Sequence, residues 1–173
     1  YLAGRPPLIH HYRWQSPTSM VTGFTDSHWA GCSSTAKSTS GGLVNIGAHP
    51  IKSFSRQQKT ISLSSAEAEV HAMVATSAEV MGVLRLCKDV GMMKKGEILA
   101  DSSAALGISN RTGMGKVRHL RIQALWVQEV RSTGRLSYKK VLGRLSTSET
   151  LTEDVAGGLL GGQLKTVGVE IRG

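Results

Sequence analysis

Alternation of apolar and polar positions near the start of the chain predicts three consecutive strands. Residues 21–27 place β-branched and aromatic side chains at alternate positions, and residues 42–47 and 51–55 form two further strand-like segments. Small polar residues over 31–40 and the tripeptide Ala48-His49-Pro50 separate these segments, so the connections between them are short. We therefore predict a meander of three strands in the first third of the chain.

The apolar spacing then changes to that of helices. Ser64 is followed three residues later by Glu67, which is the spacing of a capping box, and apolar residues recur at helical intervals up to about Gly91. Asp101 stands in a good N-cap position for a short helix. The later elements are predicted as a strand over 97–100, a helix from there to about 109, a helix over 117–131, a strand over 136–141 and a helix over 146–160. The order β-β-β-α-β-α-α-β-α predicts an α/β fold in which helices flank a mixed sheet.

Proline and glycine mark the two ends of the predicted domain. Arg5-Pro6-Pro7 and Ser16-Pro17 interrupt regular structure, so residues 1–19 are predicted to be a connector that holds at most a short strand. Gly157-Gly158 weakens the last helix, and no period follows it. We expect one domain over 20–160 and a loose tail over 161–173.

The charge balance narrows the choice of partners. The 173 residues include 21 Lys and Arg against 12 Asp and Glu, a formal net charge of +9, which favours a polyanionic partner such as nucleic acid. Two cysteines exclude both a disulfide scaffold and a four-thiolate zinc site, and they favour a reducing, intracellular compartment. No apolar run reaches the length needed to span a bilayer, so no membrane partner is expected.

Three of the scarce carboxylates stand at special places in the predicted fold. Asp26 lies inside the first strand, Glu69 in the first turns of the long helix, and Asp101 at the close of the fourth strand. In a mixed sheet the first and fourth strands can be neighbours under the long helix, so the three acids can converge. Crowded carboxylates repel one another, and divalent cations such as Mg²⁺ or Mn²⁺ remove that penalty. Two such ions form a phosphodiester cleavage centre, which on a basic chain indicates a hydrolase of nucleic acid.

Each of these acids also has a simpler structural interpretation. Asp101 can serve only as a helix N-cap, Asp26 as a turn residue, and Glu69 as a solvent-facing helix acid. Glu67, two residues before Glu69, fits the capping box. At 100° per residue the two glutamates are about 200° apart around the helix, so only one of them can face a given site.

Five segments, taken together, resemble one known family. They are Phe24-Thr25-Asp26-Ser27-His28-Trp29-Ala30-Gly31-Cys32 with Lys37-Ser38-Thr39-Ser40-Gly41; Gln58 to Glu69, ending in Ser64-Ser65-Ala66-Glu67-Ala68-Glu69; Leu99-Ala100-Asp101-Ser102-Ser103-Ala104-Ala105; Arg118-His119-Leu120 with Trp126-Val127-Gln128-Glu129; and Tyr1-Leu2-Ala3-Gly4. Over about residues 1–155, in order and with similar spacing, the chain resembles the ribonuclease H domain of copia-type LTR retrotransposon Pol polyproteins.

The resemblance implies a fold, an activity and partners. The fold is ribonuclease H-like, with a five-stranded mixed sheet and helices on both faces. The activity is endonucleolytic cleavage of the RNA strand of an RNA–DNA hybrid with two Mg²⁺ or Mn²⁺ ions. Residues 1–19 then connect to an upstream reverse transcriptase domain. We expect the isolated domain to be a monomer and to work in the cytoplasm, within virus-like particles.

The resemblance also assigns roles to residues. The family's four catalytic and metal-binding acids carry over to Asp26, Glu69, Asp101 and Asp154. Glu69 is preferred to Glu67 because it precedes a bulky residue and a helical alanine, as the family pattern requires. The candidate substrate contacts are Ser27, Lys37, Ser38, Ser102 and His119.

The chain departs from the family pattern in the last helix and at position 28. In the stretch Leu151-Thr152-Glu153-Asp154-Val155 an ungapped register gives Glu153 as the fourth acid, whereas the family's acid-then-aliphatic pair gives Asp154, which we prefer. The Thr-Lys that usually follows is missing. The family often has a second Asp where His28 stands. An alternative function therefore stays open, namely a catalytically impaired ribonuclease H-like module that binds nucleic acid or serves as an assembly part.

Overall fold

A five-stranded mixed sheet forms the centre of the molecule. The structure is a computed structural model, and it describes residues 8–112, 121–141, 152 and 169–171. The strands are β1 (Leu8–His10), β2 (Met20–His28), β3 (Thr39–Ile46), β4 (His49–Gln57), β5 (Lys95–Ala100), β6 (Leu136–Lys140) and β7 (Val169–Ile171). The central sheet has the order β4-β3-β2-β5-β6, and β1 pairs with β7 in a separate ribbon. The predicted five-stranded mixed sheet is confirmed.

The pairing of the strands follows the predicted meander. β2 pairs with β3, and β3 with β4, in antiparallel fashion, whereas β5 lies parallel to β2 and β6 parallel to β5. The register of β3 against β4 shifts between Val44 and Asn45, which marks a bulge. Because β2, β5 and β6 run in the same direction, their carboxyl ends lie at one edge of the sheet.

Three helices are described, and they pack against the sheet and one another. They are α1 (Ser65–Asp89), α2 (Ser103–Ser109) and α3 (Arg121–Ser132). α1 contacts β2, β3 and β5, and it also contacts α2 and α3. A Cβ at Gly23 of β2 would lie only 2.7 Å from Val80 Cγ2 and 2.9 Å from Thr76 Cγ2, so the close approach of α1 requires glycine there. The predicted helix over 146–160 lies outside the described residues, apart from Thr152.

The hydrophobic core lies between α1 and the sheet and continues under α2 and α3. Alternate residues of β2 and β5 point into it, as their period of two predicts. The largest fully buried apolar side chains are Met73, Ile98, Leu136, Val21, Val44, Val70, Val80, Val127 and Val130. Removing any one of the larger of these side chains is expected to cost about 2–5 kcal/mol of stability.

Helix α1 departs from the expectation that no apolar segment is long enough to span a bilayer. Among the described helices it is long and apolar enough, by length and composition, to cross a membrane. However, 44% of its apolar stretch is buried inside the molecule. α1 also packs against β2, β3 and β5, so its length and composition are weak evidence for a membrane span.

The described part of the predicted connector is docked on the turn between β3 and β4. Gln15 Nε2 donates to Ile46 O at 2.8 Å, and its Oε1 accepts from Ala48 N at 2.8 Å. Its Nε2 also lies 3.0 Å from His49 Nδ1, which therefore accepts, and so His49 Nε2–H donates to Arg13 O at 2.7 Å. We call these contacts of Gln15 and His49 the leader clasp.

The two ends of the described chain also meet. β1 and β7 pair antiparallel, with Leu8 opposite Ile171 and His10 opposite Val169. The prediction of a loose tail over 161–173 is therefore wrong for these three residues. Three-residue strands are too short to show a hydrophobic alternation in the sequence. Their conformation is determined instead by backbone hydrogen bonds to a strand distant in sequence.

Candidate functional site

The register of the parallel strands places two acids side by side. The last paired residues of β2 and β5 are Thr25 and Ala100. Asp26 and Asp101 are the next residues on each strand, so both leave the ladder at the carboxyl edge of the sheet. Asp26 still pairs with Gly41 of β3 on its other side, which fixes its backbone within the sheet.

Glu69 completes a cluster of three carboxylates. It lies in the second turn of α1, the helix that packs over β2 and β5. One carboxylate oxygen from each of Asp26, Glu69 and Asp101 lies within 4.8 Å of the others. The predicted convergence of these acids is therefore present in the structure, whereas their roles as ligands and catalysts stay predictions.

The environment of Glu69 disfavours its charge. Burial is the main cause that raises the pKa of this carboxyl to about 8, and the negative charges of Asp26 and Asp101 contribute to the same rise. The Ser27 hydroxyl, which donates to Glu69 Oε1 at 2.8 Å, acts in the opposite direction. Without a compensating positive charge, Glu69 therefore holds a proton at neutral pH.

The donor set fits a hard divalent cation. Glu69 Oε2 is buried and has no hydrogen-bond partner among the described residues. An unpartnered buried oxygen is costly, and coordination of a cation would satisfy it. Three converging carboxylates supply only oxygen ligands, which Mg²⁺ and Mn²⁺ prefer.

Glu67 supports the N-terminus of α1, at the position that the capping-box spacing predicts, although its side chain bonds the residue before the N-cap. Ser64 is the N-cap of α1, and its side chain accepts from Glu67 N at 3.2 Å. The Glu67 side chain is buried and accepts from Leu63 N at 2.8 Å, one residue before the cap. The two glutamates thus face different surroundings, and Glu69 is the one that joins the acid cluster.

The cap of α2 differs by one residue from the sequence interpretation. Asp101 was a candidate N-cap, but the N-cap is Ser102, whose side chain accepts from Ala105 N at 3.2 Å. Serine and aspartate are similarly good caps, so their order alone could not decide between them. The shift leaves the Asp101 carboxylate in the cluster with Asp26 and Glu69.

Three of the candidate substrate contacts are hydroxyls with structural partners. Ser27 donates to Glu69 and Ser102 caps α2, so both support the site, and contact of either with a substrate stays a prediction. Ser38 is completely buried, and its Oγ accepts from Ala30 N at 3.1 Å. A completely buried hydroxyl does not reach a substrate, so we assign Ser38 to the support of its loop instead.

The remaining candidates divide between the described and undescribed parts of the chain. Lys37 is half-buried in the loop between β2 and β3. His119, Glu153 and Asp154 lie outside the described residues, and their roles stay predictions. Thr152 was not predicted as a site residue, yet it is buried and its hydroxyl donates to Asp26 Oδ2. In the sequence, its position directly before the two candidate acids is what could have indicated this role.

Comparisons with known sequences find Pol polyproteins among the relatives of this chain. No family model matches the chain. It is 27% identical over 161 residues to the retrovirus-related Pol polyprotein from transposon RE1 of Arabidopsis thaliana, covering 90% of this chain and 11% of that protein. It is 27% identical over 138 residues to the corresponding polyprotein from transposon TNT 1-94 of Nicotiana tabacum, covering 79% of this chain and 10% of that protein. The chain therefore spans about a tenth of the length of these relatives.

Comparisons with solved structures identify the fold. The N-terminal RNase H domain of rv2228c from Mycobacterium tuberculosis matches with a TM-score of 0.56 and 18% identity, over 78% of this chain and 91% of that one. LC11-RNase H1, isolated from compost, matches with a TM-score of 0.61 and 12% identity, over 83% and 99%. The same protein in complex with an RNA/DNA hybrid matches with a TM-score of 0.54 and 14% identity, over 81% and 99%. The ribonuclease H fold and the resemblance to copia-type Pol polyproteins are thus confirmed.

Proposed function

We propose that this chain is a metal-dependent ribonuclease H domain that cleaves the RNA strand of an RNA–DNA hybrid. The observation that carries the proposal is the convergence of Asp26, Glu69 and Asp101 at the carboxyl edge of a ribonuclease H sheet. Similarity to Pol polyproteins supports a place within a longer polyprotein. The copia-type resemblance adds a reverse transcriptase domain upstream as the proposed neighbour.

Two divalent cations are the proposed cofactors. When bound, Mg²⁺ or Mn²⁺ ions supply the positive charge that activates a water and stabilises the leaving oxygen in phosphodiester cleavage. Asp26, Glu69 and Asp101 would hold them, with Asp154 as the proposed fourth acid and Glu153 as its competitor. The buried, unpartnered Oε2 of Glu69 supports this assignment.

The chain's own residues have two tasks at this site. The first is to keep crowded acids at fixed positions, which Ser27 does for Glu69 through its hydroxyl. The second is to give up the proton that Glu69 holds at neutral pH, because a carboxylate binds cations only when it is deprotonated. Cation binding at pH 7 is therefore expected to release a proton from Glu69.

The proposed substrate class rests on charge and on the fold. A formal net charge of +9 attracts a nucleic acid backbone, whereas three acids at the site repel phosphate unless cations neutralise them. One solved neighbour with the same fold was crystallised with an RNA/DNA hybrid. We expect recognition through 2′-hydroxyls and groove shape rather than through base edges.

A cleavage assay with matched variants tests the proposal. Labelled hybrid is incubated with the protein in Mg²⁺ or Mn²⁺, and the same RNA in duplex with RNA serves as the substrate control. Asp26→Asn is expected to lower the cleavage rate by roughly a thousandfold or more, which corresponds to about 4 kcal/mol in the barrier. Asp89→Asn is the matched control, because Asp89 is exposed at the end of α1 and, among the residues that the structure describes, forms its ion pair with Arg85 of the same helix at 3.1 Å.

The outcomes separate the proposal from its alternative. Cleavage of the hybrid that is lost in Asp26→Asn and kept in Asp89→Asn supports a ribonuclease H. Binding of the hybrid without cleavage by the wild-type protein in either metal refutes catalysis and favours the impaired nucleic-acid-binding module. Undiminished cleavage by Asp26→Asn refutes the site.

A further inference from the structure

Thr152 reaches the acid cluster from far along the chain. Its hydroxyl donates to Asp26 Oδ2, across 126 positions of sequence. Thr152 is 9% exposed, and its contact with Asp26 is partly buried, so the hydrogen bond is partly shielded from water. A hydroxyl that donates to one carboxylate oxygen restricts the rotation of that carboxylate and so fixes the direction of its other oxygen.

His28 holds the main chain of Thr152. His28 Nδ1 lies 3.3 Å from the Thr152 carbonyl oxygen. A carbonyl oxygen only accepts hydrogen bonds, so Nδ1 carries the proton and donates. Gly31 also packs closely on the imidazole, because a Cβ added there would lie 2.9 Å from both Cγ and Nδ1 of the ring. The ring is therefore fixed by close packing against Gly31 and by its hydrogen bond to the Thr152 main chain.

These two contacts complement each other chemically. The protonated Nδ1 of His28 can donate to a carbonyl, whereas an ionised aspartate at this position could not. Histidine at position 28 therefore supplies the donor for the Thr152 carbonyl. Both contacts lie at the same end of β2, because His28 is two residues after Asp26.

We propose that Thr152 and His28 are positioning residues for the metal site: the Thr152 hydroxyl orients Asp26, and the His28 imidazole holds Thr152 in place. The inference rests on the proposed function in one respect, namely that Asp26 is a cation ligand. Ser27 and Glu69 show the same arrangement on the helix side of the cluster, with a hydroxyl on one carboxylate oxygen.

Calorimetric titration of Mn²⁺ into the full chain, without nucleic acid, tests the role of Thr152. Thr152→Val keeps the shape and removes the hydroxyl, and it is expected to weaken Mn²⁺ binding about 10- to 100-fold. Thr152→Ser keeps the hydroxyl and is expected to stay within about threefold of wild type. In the cleavage assay Thr152→Val should lower kcat at limiting Mn²⁺ and leave the KM for hybrid unchanged. Wild-type Mn²⁺ affinity in a folded Thr152→Val protein overturns the proposal, as does an equal loss in Thr152→Ser.

Two substitutions at position 28 test the second link. His28→Asn keeps a donor and is expected to bind Mn²⁺ nearly as wild type, whereas His28→Asp is expected to weaken binding as Thr152→Val does. The double variant His28→Asp/Thr152→Val should bind Mn²⁺ no more weakly than Thr152→Val alone, because both substitutions break the same chain of contacts. Additive losses of Mn²⁺ affinity would show that the two residues act independently and would overturn the second link. If this affinity pattern appears in a protein that does not cleave hybrid, the proposed function fails and the positioning inference stands.

Discussion

Glu69→Gln is expected to stabilise the metal-free protein at neutral pH although it alters the centre of the proposed site. The carboxyl of Glu69 has its pKa raised from an ordinary 4.5 to about 8, first by burial and then by the charges of Asp26 and Asp101. Between pH 4.5 and about pH 8, Glu69 has lost its proton in the unfolded chain but still holds it in the folded chain. The free energy of unfolding therefore falls as the pH rises through this range.

The size of this effect follows from the window. Each pH unit above 4.5 lowers the free energy of unfolding by about 1.4 kcal/mol until the folded pKa is reached. At pH 7 the penalty from Glu69 is about 3 kcal/mol, above pH 8 it is at most about 5 kcal/mol, and below pH 4.5 it vanishes. The amide of glutamine has nearly the same shape, carries no charge, and can still accept from Ser27.

Urea unfolding in EDTA at several pH values between 4 and 7.5 measures this difference. The stability of Glu69→Gln minus that of wild type should increase by about 3 kcal/mol from pH 4 to pH 7. Subtracting the two pH values cancels effects of the substitution that do not depend on charge. Excess Mg²⁺ should then stabilise the wild type more than the variant, because only the wild type keeps the full set of anionic ligands.

Glu79→Gln is a matched control with the opposite sign. Glu79 lies on the same helix, and the Lys52 ammonium holds its pKa below the ordinary value, with a further contribution from Arg56. A lowered pKa favours the folded state above the unfolded pKa, so this substitution should lose stability as pH rises, by less than about 1 kcal/mol for a solvent-screened pair. A pH-independent difference for Glu69→Gln would refute the crowded, buried carboxylate that the site requires.

Three further outcomes are expected. Glu67→Gln should change the hybrid cleavage rate by less than about threefold, because glutamine still accepts from Leu63 N; a severe loss in rate assays would reverse the choice of Glu69. Hybrid affinity, followed by fluorescence anisotropy, should fall by roughly 10³-fold or more from about 50 to 200 mM salt, and a flat curve would contradict a protein that tracks the nucleic acid backbone. Gln15→Ala should lower the free energy of unfolding by about 1–3 kcal/mol through loss of the leader clasp. Gln57→Ala, the control, breaks an exposed hydrogen bond of 3.3 Å to Thr35 and should change the free energy of unfolding by less than about 0.5 kcal/mol. Equal effects of the two substitutions in chemical denaturation would show that the leader clasp does not stabilise the fold.

Local pattern predicted the strands and the possible convergence of three acids, and the family resemblance then selected the five-stranded sheet and the acid site. β2 alternates buried and less buried residues along its length, which is the signal that predicted the first strand. Asp26 and Asp101 stand at the ends of two apolar segments, and a parallel register necessarily brings such ends together. Helix geometry showed that Glu67 and Glu69 cannot both face one site, and the capping box and the family pattern favoured Glu69 as the site residue.

Long-range contacts could not be predicted from the local sequence pattern. The hydrogen bond from Thr152 to Asp26 joins residues with no periodic relation, so the sequence around each of them does not indicate it. The pairing of β1 with β7 depends on backbone hydrogen bonds between two three-residue segments. The burial of Ser38 depends on how the loop after β2 folds back, which its polar composition did not reveal.

The outer edge of β4 has a consequence for how copies of this chain behave in concentrated solution. Within the residues that the structure describes, β4 is an end strand of the central sheet, and such a strand offers unpaired backbone groups to any other extended chain. β4 carries Pro50, which lacks an amide hydrogen, and the cations Lys52 and Arg56, and the bulge at Val44 and Asn45 disturbs its register with β3. These are features that oppose strand-to-strand aggregation, so we expect this edge to resist fibril growth as long as the β3–β4 hairpin stays folded.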